Sequence, residues 1–108
     1  MASVGESKGW TVEPEQRVYG LQIVKLKQIY VLPWAQFLYA EGTSEEVRAV
    51  FSTHDLVVRG SDLMSLIADF AFQRITILRE PARTERFTNL EGPHITDVKV
   101  SRVEDRGE

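Results

Sequence analysis

The stretch that decides the fold is "RGSDLMSLIADFAFQ", Arg59 to Gln73. Within it a strand-like run stops and the one convincing helix of the chain begins. Gly60 breaks the run, Ser61 is a good N-cap, and Asp62 puts negative charge where the helix dipole favours it. Leu63, Leu66, Ile67 and Phe70 follow at i, i+3, i+4 and i+7, the spacing of a stripe that faces a core. The pattern predicts a helix over about residues 62–73.

That helix carries more apolar surface than one sheet can cover. Its polar positions, Asp62, Ser65, Asp69 and Gln73, share one narrow side. Met64, Ala68 and Phe72 form a second stripe at i, i+4 and i+8, whereas packing on a single sheet needs an apolar arc of only ~100° or a little more. A cover is therefore expected: the N-terminal segment with Trp10, the 81–97 loop with Phe87, a second copy of the chain, or another protein. Methionine and aromatic side chains are common in docking surfaces.

Outward from the helix the chain reads as strands. "VYGLQIVKLKQIYVL" (residues 18–32) alternates over part of its length, with Val24, Leu26 and Tyr30 on one face and Lys25 and Lys27 on the other. Pro33 cannot donate to a ladder and marks a break. "WAQFLYA" (34–40) alternates again, with Trp34 and Leu38 on one face and Phe37 and Tyr39 on the other. "EGTS" (41–44) reads as a four-residue hairpin loop. "EEVRAVFS" (45–52) puts Val47, Ala49 and Phe51 on one face, and "THDLVVR" (53–59) is a further strand. Past the helix, "RITILRE" (74–80) and "ITDVKVSRV" (95–103) are strand candidates, separated by a proline- and charge-rich loop. The fold class is α+β: a small antiparallel β-meander with one helix, then one or two further strands. Residues 1–16 read as an irregular or disordered leader, 17–103 as a single domain, and 104–108 as a tail.

Composition bounds the function. With 108 residues, 43% of them hydrophobic and 27% charged, the chain fits one globular core. The absence of cysteine excludes disulfides, thiolate metal sites and thiol catalysis. A net charge of −3 gives no footprint for nucleic acid or anionic lipid. There is no secretory h-region and no apolar run of the ~18–20 residues that span a bilayer, so a cytoplasmic location and no membrane partner are expected.

Candidate chemistry is sparse. Ser52, His54 and Asp55 are the side-chain set of a hydrolase triad, but neighbours on a strand point to opposite faces, so Asp55 cannot orient His54. His54 remains the one candidate for a ligand-binding or pH-sensitive role, since histidine titrates nearest neutral pH. His94 with Glu91 and Asp97 lies in a loop-like stretch where metal-ligand spacing does not converge, and no metal is expected. No phosphate-binding glycine motif occurs and no cofactor is implied. Arg74, Arg79, Arg83 and Arg86, followed by Phe87, are the candidate nucleic-acid contacts, although Glu80 and Glu85 dilute them.

The reading leans away from an enzyme. It expects a homo-oligomeric (dimer favoured) or protein-interaction domain without catalytic activity, touching its partner through Met64, Ala68, Phe72, Trp34, Phe37 and Tyr39. Two alternatives stand beside it: a ligand-binding or enzymatic domain with a pocket near His54, and a nucleic-acid module using the arginine segment.

Overall fold

The chain changes sheets at Pro33. The computed structural model describes residues 9–82 and 92–105. In chain order its elements are β1 (Trp10–Val12), β2 (Gly20–Val24), β3 (Ile29–Pro33), β4 (Phe37–Gly42) and β5 (Glu46–Phe51). These are followed by β6 (His54–Ser61), helix α1 (Met64–Phe72), β7 (Ile75–Arg79) and β8 (His94–Arg102). The first sheet has the order β1-β7-β2-β3 and the second β4-β5-β6-β8. All neighbours are antiparallel except β2 and β7, which run parallel.

The α+β class holds, but the strands do not form one meander. A short 3-10 turn at Trp34–Gln36 carries the chain from the first sheet into the second. Trp34 is therefore not a strand residue, as its alternation with Leu38 implies, but the pivot of the crossing. Its backbone N–H donates to the Tyr19 carbonyl at 2.9 Å and its indole N–H to the Ile75 carbonyl at 3.1 Å. Both bonds reach the first sheet. Its ring meets Phe37 and Phe51 of the second sheet and Phe70 of α1, at centroid separations of 5.3, 5.7 and 5.8 Å. Aromatic pairs at such distances contribute stability beyond that of the area they bury.

The inner faces of the two sheets make one core. Trp10, Leu21, Ile23, Leu32, Ile75 and Leu78 from the first sheet meet Val47, Ala49, Phe51, Leu56, Val58, Ile95 and Val98 from the second. Leu63, Leu66 and Phe70 complete it from α1 and the turn before it. Residues 10–12, expected in an irregular leader, instead form β1, and Trp10 is fully buried with its indole N–H donating to Asp69 at 2.8 Å. Trp10 thus fastens the N-terminal segment to the polar side of α1, leaving the Met64–Phe72 stripe uncovered by it.

Three local departures from simple alternation have physical causes. The ladder between β6 and β8 continues to Ser61↔His94, so Ser61 is a strand residue rather than an N-cap. Asp62 then takes a left-handed φ of 57°, Leu63 donates its N–H to the Ser44 carbonyl, and the helix begins at Met64. It stops at Phe72 because Gln73 adopts the left-handed C-cap conformation. The register also shifts between Thr11 and Val12, which lets both Ile75 and Leu78 face inward while Ile77 faces out. A second shift at Arg59/Gly60 brings Gly60 against β8, where a Cβ would collide with the His94 carbonyl oxygen and lie 3.0 Å from the Ile95 Cα.

Two outcomes follow for urea denaturation. Trp34→Ala, which removes the ring cluster and the bond to Ile75, is expected to cost about 3–5 kcal/mol. Gly60→Ala is expected to cost about 1–3 kcal/mol through overpacking against the β8 backbone. A loss below about 1 kcal/mol at Trp34 would refute its role as the joint between the sheets.

Candidate functional site

Ser52 and Thr53 form the two-residue connection between β5 and β6, and His54 opens β6. The three triad-like residues are dispersed by this geometry. The Ser52 hydroxyl donates to the Gln36 side chain at 3.1 Å, and His54 Nδ1 lies 2.9 Å from the Thr53 hydroxyl. His54 is half-buried with its ring edge-on to Tyr30 at 5.7 Å. Asp55 points to the other face of the sheet, is buried, and lies 3.5 Å from the Arg48 guanidinium. Strand alternation thus assigns Asp55 to an ion pair and His54 to a ring contact.

An open hollow of about 400 Å³ lies beside His54, lined also by Thr53, Arg102, Val103 and Glu104. Arg102 turns onto Glu104 at 3.3 Å, so the lining charges satisfy each other rather than converging on the hollow. His94 lies on β8 and hydrogen-bonds to the Gly92 carbonyl at 3.0 Å. Among the described residues no three His, Asp or Glu side chains come together as a metal site. Glu91, the third member of that cluster, lies outside the described residues.

The arginine segment divides. Arg74 donates to the Pro14 carbonyl at 2.7 Å, and Arg79 is an exposed residue of β7. Arg83, Arg86 and Phe87 lie outside the described residues. The described part therefore brings no cluster of arginines together.

The association residues divide as well. Trp34 is 4% exposed and does not reach the surface as expected for a contact, whereas Phe37 is half-buried, packed in the ring cluster with part of its side chain exposed. Tyr39 is exposed on β4, and on α1 Met64, Ala68 and Phe72 all face outward, Met64 at 57% and Phe72 at 69% exposure.

A second exposed apolar surface was not singled out by the sequence pattern. Each sheet has one outer face, and the two differ in chemistry. On the second sheet, register places Glu41, Arg48, Val57 and Lys99 in one row and Glu46, Arg59 and Asp97 in the next. Arg48 pairs with Glu41 at 3.9 Å and Arg59 with Glu46 at 3.4 Å, so these two rows are charged, while the third row of the same face sets exposed Tyr39 beside buried Val50 and Asp55. On the first sheet the rows are Thr11, Ile77, Gln22, Val31 and then Arg79, Val24, Ile29. Ile29 is 56% and Val31 67% exposed, with Leu26 exposed at the turn beside them. The signal was present in "QIYVLP", where both parities are apolar, but only the register assigns Ile29 and Val31 to the bare side.

The β2–β3 turn that presents this face is fixed from below. Lys25 lies 3.4 Å from buried Glu80 and donates to the Val98 carbonyl of the second sheet. Glu80 in turn accepts the Leu26 N–H at 3.1 Å and donates its own N–H to the Val24 carbonyl at 2.8 Å.

No family model, curated protein or solved structure matches the chain. Among the described residues no helix is long and apolar enough to cross a membrane.

Chemical denaturation separates the two views of the Ser52–Asp55 cluster. Ser52→Ala, which removes an exposed bond, is expected to stay within about 0.5 kcal/mol of the wild type. Asp55→Ala is expected to cost about 1–3 kcal/mol because it removes a buried carboxylate together with its ion pair to Arg48. Equal effects would contradict the structural assignment of Asp55.

Proposed function

We propose that this chain works by association rather than catalysis, as a self-associating protein-interaction domain whose main contact surface is the outer face of the first sheet. The observation that carries this reading is the asymmetry of the two outer faces. A sheet in water ordinarily turns polar side chains outward, as the second sheet does with its Arg48 and Arg59 ion pairs. The first sheet instead exposes Ile29, Val31 and Ile77. Ile29 and Val31 are neighbours on one side of β3, with Val24 across from Ile29, while Gln22 and Arg79 interrupt the face toward Ile77. An exposed apolar cluster of this kind marks an interaction site. The stripe of Met64, Ala68 and Phe72 on α1 is a second contact region of the same reading.

Sedimentation equilibrium over a range of concentrations tests it. The wild-type chain is expected to show a mass above 12.3 kDa that rises with concentration. Ile29→Lys combined with Ile77→Lys places charge on the bare face and is expected to weaken association at least about tenfold while leaving the circular dichroism unchanged. Met64→Asp with Phe72→Asp measures the helix contribution separately. A wild-type chain that stays monomeric at every concentration, with no protein partner lost in the charged variants, would overturn the reading.

A further inference from the structure

We infer that a second copy of this chain pairs with the free edge of β3 in an antiparallel, two-fold manner, with Ile29 opposite Val31 of the partner subunit. The inference rests on the association reading and gives it a mechanism. Lys25 N–H donates to the Gln28 carbonyl at 2.8 Å and Trp34 N–H to the Tyr19 carbonyl at 2.9 Å. In the same register Ile23 faces Tyr30 and Leu21 faces Leu32. Antiparallel alternation therefore turns the peptide groups of Tyr30 and Leu32 toward β2, and those of Ile29 and Val31 away from it. Among the described residues no bond reaches the outward N–H and C=O groups of Ile29 and Val31.

Sheet edges are usually guarded by shortness, charge or a bulge. Of the four edges here, β1 is only three residues long and β4 carries a register shift between Phe37 and Tyr39. Edge strand β8 carries Asp97, Lys99 and Arg102. Strand β3 has an unbroken register and no charged residue. Its single guard is Pro33, which lacks an N–H and ends the ladder at one side.

A second copy fits that edge for reasons of symmetry. With Ile29 opposite the partner's Val31, the two outward donors and two outward acceptors of each chain are all matched, and Pro33 falls outside the ladder at both ends. Setting Val31 opposite itself would instead place Ile29 against Pro33, leaving the Ile29 carbonyl without a donor. The chosen register also sets β-branched residues across from each other on the outer face, a favourable cross-strand pair. The two first sheets then become one eight-stranded sheet, with Val24, Ile29 and Val31 of both copies meeting at its centre on the outer face.

The full chain carrying Val31→Pro tests this. The substitution deletes an N–H that makes no bond within the described chain, on an edge position where proline is tolerated. By symmetry two of four intermolecular bonds are lost, so dimerisation is expected to weaken about 30-fold with the monomer fold retained. Since the chain has no cysteine, Tyr30→Cys provides an independent reading. Tyr30 lies on the two-fold axis opposite its own copy, so mild oxidation is expected to link Tyr30→Cys chains into a covalent dimer faster than Val31→Cys chains. A Val31→Pro dimer of wild-type affinity, or faster linkage at position 31, would overturn edge pairing while leaving association intact. A monomeric wild type would overturn both.

Discussion

The structure depends on Trp34 holding three layers together at the place where the chain leaves one sheet for the other. Its two N–H groups bond to the first sheet, through Tyr19 and Ile75, while its ring packs on Phe37 and Phe51 of the second and on Phe70 of the helix. A sandwich of two small sheets has open sides, and α1 closes the one between β1 and β4. It does so by burying Leu66 and Phe70 and by accepting the Trp10 indole N–H at Asp69. The helix is committed to this closing task. Its outer stripe and the outer faces of both sheets are left to meet solvent or a partner.

That division accounts for the contrast between the two outer faces. Charge laid on β4, β5 and β6 suits the second sheet to water, since the Arg48 and Arg59 pairs satisfy each other there. The first sheet carries no comparable set on β2 and β3, and its hairpin is held rigidly by the Lys25–Glu80 pair and the Lys25 bond to Val98. A rigid, uncharged edge next to an apolar face lowers the ordering cost of strand addition, which main-chain bonds then direct. In the proposed dimer, face and edge form one surface, the face supplying burial and the edge supplying register.

Much of this was legible before the structure. The helix, its inward stripe of Leu63, Leu66 and Phe70, and its exposed stripe of Met64, Ala68 and Phe72 follow from periodicity alone. So does the failure of Ser52, His54 and Asp55 to form a triad, because alternation separates Asp55 from His54. The break at Pro33 was legible, but the change of sheet that follows it was hidden, since alternation resumes on either side of the 3-10 turn whichever sheet the strand joins. The register shifts at Thr11/Val12 and Arg59/Gly60 were hidden for a related reason: one extra residue reverses facing without changing composition. The parallel pairing of β2 with β7 joins residues more than fifty positions apart, and local pattern carries no trace of it. Facing on "QIYVLP" was ambiguous because both parities are apolar, so the bare face emerged only from the register.

Amide hydrogen exchange at Ile29 and Val31, followed by NMR as protein concentration is raised, tests the central claim most directly. These two N–H groups point away from β2, while those of Tyr30 and Leu32 are bonded inside the monomer. The account predicts that protection at Ile29 and Val31 climbs with concentration and that protection at Tyr30 and Leu32 is present throughout. Rapid exchange at Ile29 and Val31 at every concentration, in a sample shown to be associated, would contradict it.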